Sequence, residues 1–274
     1  MVTNKQNLPQ VLVNLVTEKL PIEHRYSVTE LLGSTREILL NRKYASQIDT
    51  DVSEVISALF GSAVHKLLEE ADSVNAEVKM EVQIGEDTLV GIADKITEDA
   101  IEDYKTCSTS KIMKNDFADW RDQGLAYAWM HLQLTGEIKR KLRFYGLMKD
   151  WSKLKSVNIT NYPASPLYTW QYEISDSDYD YIEKKIKNKI KDIKSGNMSK
   201  CTDTERWYTG DKYAVYRNVG DKRAALVADT EQEAHDFITN KCGGAGEIQV
   251  RKGESLKCKY YCRVSKFCEY AKEE

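Results

Sequence analysis

The chain has 274 residues, 41% of them hydrophobic and 30% charged, and a formal net charge of −3. That length and balance suffice for a buried core and one large domain or a little more. They exclude a globally basic nucleic-acid binder, although a local basic groove is compatible with an acidic chain. No stretch approaches the ~20 apolar residues of a membrane span, and no signal peptide opens the chain. A cytoplasmic protein is therefore expected, its six cysteines serving as thiols or metal ligands rather than disulfides.

Residues 1–25 read as a polar lead-in with a short apolar piece at Val11–Val16 and a break at Pro21. Ser27 then opens a helix, with Glu30 three residues on, the spacing of a capping box. A second helical piece, Arg36–Tyr44, carries Arg36, Arg42 and Lys43. Ser53–Ala71 is the next helix, with Val55, Leu59, Val64, Leu67 and Leu68 as its apolar stripe. Gly61 admits a neighbouring backbone there, and His65 follows one turn later.

Glu77–Ile84 alternates Val78, Met80, Val82 and Ile84 with polar residues, the two-residue period of a half-buried strand. Gly85-Glu86-Asp87 is turn chemistry, Leu89–Lys95 is extended, Thr97-Glu98-Asp99 turns again, and Ala100–Thr106 extends once more. The expected product is an antiparallel meander that sets Asp94 beside Asp103. Asp103 and Lys105, two apart on one strand, leave the same face. Two carboxylates and an ammonium at one sheet edge suit a divalent cation and, with it, phosphodiester hydrolysis. Glu81, on the first strand, is a candidate to orient His65 or a metal-bound water; an exposed strand residue is the alternative.

Cys107–Lys111 reads as a polar loop whose hydroxyls can meet phosphates. Trp120–Thr135 is an amphipathic helix on which Gln123 and Tyr127, one turn apart, share a face. Tyr127 and Trp129 can also be core aromatics. Arg140–Met148 is another strand, Asp150–Asn161 a loop, and Leu167–Ile174 a further strand. Ser175–Ser195 is a lysine-rich helix with Tyr179, Ile182, Ile186 and Ile190 as its spine, ended by Gly196; its lysines, interleaved with acids, read as a solvated face. Lys212–Arg251 reads as a small ββαβ insert whose basic residues Lys212, Arg217, Lys222 and Arg223 allow contact with DNA or a partner.

The tail holds Cys258, Cys262 and Cys268 within eleven residues, a metal-binding pattern in a chain expected to be intracellular. Cys201, Cys242 and Cys107 are the candidates for a fourth ligand. Cys201 is preferred, because it directly precedes the insert, which would then loop out from a closed site. Zinc would satisfy four such thiolates.

Four short patterns occur in order: Gly61-x-x-x-His65, Gly91-x-x-Asp94, Asp103-x-Lys105 and Gln123-x-x-x-Tyr127. In this order and on these element types they resemble the PD-(D/E)XK nuclease superfamily, specifically the RecB-like branch with its phage and CRISPR-associated exonucleases. The resemblance implies an α/β restriction-endonuclease-like core, a mixed central sheet flanked by helices, over about residues 26–200. Residues 201–274 would form a metal-stapled cysteine region containing the insert at about 212–251. His65, Asp94 and Asp103, with the Tyr104 carbonyl, would hold Mg²⁺ or Mn²⁺, and Lys105 would act on the attacking water or the phosphate. Gln123 and Tyr127 would steady the site, and the Arg36–Tyr44 region would cover its entrance.

Iron–sulphur members of the branch hold a 4Fe-4S cluster on three C-terminal cysteines and a distant partner. This chain has CxxxC where those members have CxxC, and Ser34 where their first cysteine falls, so zinc stays open beside 4Fe-4S. The implied activity is DNA hydrolysis, exonucleolytic on single strands or duplex ends, in recombination, repair or phage DNA processing, with a recombination or replication protein as partner. A non-catalytic DNA-end-binding subunit and a restriction-type endonuclease are the alternatives.

Overall fold

A computed structural model describes residues 2–16, 20–72, 76–218 and 220–272. The chain divides into two units, Met1–Met198 and Ser199–Glu274. The first opens with β1 (Val2–Thr3), α1 (Gln10–Asn14), β2 (Arg25–Ser27), α2 (Val28–Leu31), α3 (Thr35–Lys43), β3 (Thr50–Asp51) and α4 (Val52–Ala71). The expected lead-in is tied down. β1 pairs in parallel with β3, and Asp51 accepts from Thr3 Oγ1 at 2.9 Å and Lys5 N at 2.8 Å while capping α4 through Ser53 N at 3.1 Å. Ser27 caps α2 as expected, accepting from Glu30 N. The Glu30 carboxylate instead meets Arg42 at 3.0 Å.

The expected apolar stripe of α4 does not become core. Only Val52 of this helix is buried, and Leu67 is 66% exposed. The helix packs on β3 and the strand bearing Asp103, not on the main hydrophobic layer.

β4 (Ala76–Ile84), β5 (Asp87–Ile96) and β6 (Ala100–Cys107) form the expected meander. After it come α5 (Thr109–Lys114), α6 (Ala118–Thr135), β7 (Lys141–Met148), α7 (Lys153–Asn158), β8 (Leu167–Glu173) and α8 (Asp176–Lys194). Two segments expected as loops are thus short helices, each opened by a serine cap: Ser108 accepts from Lys111 N and Ser152 from Lys155 N.

The sheet has six strands in the order β2-β5-β6-β7-β8, with β4 also on β5. β6 and β7 run parallel and β8 returns antiparallel, so the sheet is mixed. It is flanked by helices: the mixed α/β architecture, a central sheet between helices, expected from the sequence. β7 alternates buried and half-buried residues, so one face carries Leu142 and Phe144 into the core beneath α6. Gly124 of α6 allows the contact, since a Cβ there would lie 2.8 Å from Leu142 Cδ1. α8 lies against α6 through buried Tyr179, Ile182, Ile186 and Ile190 and ends at Gly196, whose φ is +67°. Several of its lysines are engaged: Lys189 donates to Gly33 O at 2.7 Å, Lys185 pairs with Asp122 at 2.5 Å and Lys194 with Asp87 at 2.8 Å.

The second unit contains α9 (Asp203–Arg206), β9 (Lys212–Tyr216), β10 (Leu226–Ala228), α10 (Glu231–Lys241) and β11 (Glu247–Arg251). Its antiparallel sheet has the order β10-β9-β11, and α10 packs on it over Val215, Ala228 and Ala234. This is the ββαβ arrangement read from the sequence. Among the described residues no helix is long and apolar enough to cross a membrane.

Candidate active site

A strand has two hydrogen-bonding edges. β4 occupies one edge of β5 along nearly its whole length, with Ala76 opposite Lys95 and Ile84 opposite Asp87. β2 and β6 must therefore share the other. β2 takes Thr88–Val90 and β6 takes only Lys95 and Ile96, opposite Glu102 and Ile101. One further step of that register would pair Asp94 with Asp103, and there the ladder stops. β6 leaves to follow β7, with Asp103 opposite Phe144 and Lys105 opposite Gly146. The opening between Gly91 and Asp94 is the candidate site.

Asp94 spans the opening. Its Oδ2 accepts from Tyr104 N at 2.7 Å, replacing a lost ladder bond, and its Oδ1 lies 3.1 Å from His65 Nδ1 on α4. The hydrogen bond to Asp94 is the main reason the His65 pKa lies above its ordinary value; partial burial opposes it. Asp103 is 2% exposed, with Lys105 Nζ 2.6 Å from its Oδ2. That oxygen nonetheless has no hydrogen bond of good geometry. Burial raises the Asp103 pKa to about 6 against the nearby Lys105 charge. A buried carboxylate oxygen short of partners, beside a second carboxylate and an imidazole, fits a hard divalent cation. Lys105 is further placed 5.7 Å from the centroid of the Phe144 ring.

Gln123 Nε2 donates to Tyr127 Oη at 2.8 Å, and the Tyr127 ring lies against Gly91. Burial pushes the Tyr127 hydroxyl up to about 12, helped by the charges of Asp103 and Asp94, so it stays protonated. The structure thus brings together His65, Asp94, Tyr104, Asp103 and Lys105, with Gln123 and Tyr127 beside them. For Tyr104 the observed polar contact is its N–H on Asp94.

Glu81 departs from the expectation: its observed partner is not His65. It pairs with Arg25, whose Nη1 donates to Oε2 at 3.2 Å, in a neighbouring groove of about 360 Å³ lined also by Lys79, Gly91 and Tyr127. The reason is register: Glu81 sits opposite Val90, where β2 brings Arg25 alongside β5.

Three acids escaped the sequence reading. A cavity of about 100 Å³ beside His65 and Asp94 is lined by Glu69, Asp72, Glu77, Lys95 and Tyr104. Glu69 had a legible signal, four residues after His65 and so on the same helix face. Asp72 pairs with Lys95.

In the tail, Cys201, Cys258, Cys262 and Cys268 all belong to the Ser199–Glu274 unit, whereas Cys107 is a buried thiol of β6. The stretches after Cys201 and before Cys258 are joined: Arg206 Nη1 donates to Ser255 Oγ at 2.7 Å and Thr209 N to Glu254 O at 3.0 Å. Among the described residues no three His, Cys, Asp or Glu side chains are gathered as a ready metal-binding group, here or on the sheet.

No family model matches the chain, and no curated protein matches it. Among solved structures it is similar to SSO0001, at 17% identity and TM-score 0.48, over 73% of this chain and 89% of that one. It is also similar to the alkaline exonuclease LHK-Exo from Laribacter hongkongensis, alone and in complex with dAMP. Each of these has 10% identity and TM-score 0.37, over 63% of this chain and 89% of the other.

Proposed function

We propose that this chain is a DNA nuclease of the RecB-like PD-(D/E)XK type, dependent on Mg²⁺ or Mn²⁺ and exonucleolytic on single strands or duplex ends. The observation that carries the reading is the meeting of His65, Asp94, Asp103 and Lys105 where β6 leaves β5. His65, Asp94, Asp103 and the Tyr104 carbonyl would hold the cation. A cation held there would supply a water of lowered pKa and a charge to offset the one that develops on the phosphate.

The chain's own groups do the rest. Asp94 fixes both neighbours, the His65 ring through Oδ1 and the β6 backbone through Oδ2. Lys105, held by the Asp103 carboxylate and the Phe144 ring, presents an ammonium to the water or to a phosphate oxygen. The neutral Tyr127 hydroxyl, oriented by Gln123, donates a hydrogen bond to the strand being cut. Recombination, repair or phage DNA processing is the setting proposed, in the cytoplasm and with a recombination or replication protein as partner.

For the tail we propose one centre on Cys201, Cys258, Cys262 and Cys268, a 4Fe-4S cluster with zinc as the alternative. Its support is the clustered triplet, together with the joined backbone that follows Cys201 and precedes Cys258.

The test is purified protein incubated with end-labelled linear DNA and with circular DNA, with Mg²⁺, Mn²⁺ or EDTA. Metal-dependent loss of linear DNA alone is expected. Cutting of circles would favour an endonuclease, and binding of ends without cutting would favour a non-catalytic subunit.

A further inference from the structure

We propose that Trp207, Tyr260 and Tyr261 form a stacking platform for the unpaired bases of a nucleic-acid strand. Three large aromatic side chains stand together here in the open: Trp207 is 50% exposed, Tyr260 61% and Tyr261 65%. The Trp207 and Tyr261 ring centroids are 5.2 Å apart, and those of Tyr260 and Tyr261 6.4 Å. Scattered exposed apolar residues need no explanation, but a contiguous aromatic patch points to something that covers it.

The backbone beneath is irregular and firmly held. Tyr260 and Tyr261 lie in the turn Lys257–Tyr261, closed by Cys262 N–H on the Lys257 carbonyl at 2.7 Å, a five-residue step. Such π-type turns are uncommon and concentrate at functional positions. Trp207 has φ +53°, where glycine or asparagine fits more easily. Leu256 N donates to the Trp207 carbonyl at 3.4 Å, and Arg206 Nη1 to Ser255 Oγ of the 2% exposed Ser255 at 2.7 Å. The two aromatic pieces are therefore fixed to each other before any ligand arrives.

Charge selects the occupant. Residues 252–274 carry six basic side chains against four acidic ones, a local surplus in a chain whose net charge is −3. Lys259 Nζ, paired with Glu254 at 2.9 Å, sits 5.4 Å from the Tyr260 ring centroid. Aromatic faces for bases and cations for phosphates are the two requirements of sequence-tolerant single-strand binding. The inference deepens the nuclease reading by naming a single strand or frayed end as the substrate form, and rests on that reading for its role.

The test uses the full-length chain without added Mg²⁺ or Mn²⁺ and without chelator, so that nothing is cut and the cysteine centre is kept, and measures fluorescence anisotropy of a labelled oligothymidylate and of an abasic oligomer of equal length. Wild type should bind the oligothymidylate more tightly. Tyr260→Ala with Tyr261→Ala should weaken that binding by about tenfold or more and leave the abasic oligomer unaffected. The corresponding Phe pair should bind as wild type does, which separates lost stacking from lost folding. Unchanged binding by the Ala pair, loss in the Phe pair, or equal wild-type affinity for both oligomers would overturn the platform. So would self-association that the Ala pair abolishes in a chain that does not bind oligothymidylate. Base-dependent binding without cleavage in Mn²⁺ would defeat the nuclease reading alone; cleavage with no base-dependent binding would defeat this one alone.

Discussion

Tyr127 occupies the space that a side chain at position 91 would fill: a Cβ on Gly91 would lie 2.9 Å from Tyr127 Cε1 and 3.2 Å from Met130 Sδ. The glycine that marks one motif is thus required by the tyrosine that ends another, three residues before Asp94. Gly91→Ala must push Tyr127 or the β5 backbone aside. Overpacking of this kind costs about 1–3 kcal/mol. A lower denaturation midpoint together with at least a tenfold loss of DNA hydrolysis is expected; a fully active, equally stable variant would break the link between the two motifs.

Asp94→Asn and Asp103→Asn should each abolish hydrolysis and leave the fold intact. An amide cannot supply the charge a hard-cation site needs. Because burial raises the Asp103 pKa to about 6, its ionised form at neutral pH works against the fold, and a neutral amide there should not lower the melting temperature in EDTA. Mn²⁺ should raise the melting temperature of wild type but not of the Asp103 variant. Near-normal turnover by either variant at saturating Mg²⁺ would remove these carboxylates from the site.

Lys105→Ala should slow hydrolysis by several orders of magnitude without loss of metal affinity, since the ammonium acts on water and phosphate and is no ligand. Titration calorimetry with Mn²⁺ reads the difference. Lost affinity in this variant would mean that Lys105 only holds Asp103 in place.

Asp87 links β5 to the end of α8. It is fully buried, 3.1 Å from His24 Nδ1 and 2.8 Å from Lys194 Nζ. Burial works to raise its pKa, but hydrogen bonds and charge from Lys194 and His24 prevail and hold it below its ordinary value. A carboxyl depressed by folding contributes stability above its unfolded pKa and loses it as pH falls through the folded value. Wild type should therefore weaken in acid below about pH 4. Asp87→Asn should cost about 1–3 kcal/mol at neutral pH and flatten that acid limb in urea titrations. An acid limb equally steep in the variant would assign it to other carboxylates.

Protein purified without oxygen should be brown and contain iron and sulphide, and Cys258→Ser should remove both. One zinc per colourless chain would decide for zinc. Full metal content in Cys201→Ser would show another fourth ligand. Loss of the centre should loosen the second unit, because binding energy at such a site is folding energy.

The meander, the Asp103–Lys105 face and the Gln123–Tyr127 bond were legible in the sequence because each depends on local periodicity: two residues along a strand, four along a helix. The ββαβ insert was legible for the same reason, its strands and capped helix being short and contiguous. Glu81 was misread because its partner comes from Arg25, a segment far away in sequence that enters beside β5. The α4 stripe was misread because apolar spacing says which residues share a face and not whether anything packs on it. The arrangement of the candidate site was decided only in three dimensions. A strand has one edge to offer once its hairpin partner is in place, and β2 and β6 divide that edge between them. The gap they leave, bridged by Asp94, follows from competition for backbone hydrogen bonds between segments that no spacing rule connects.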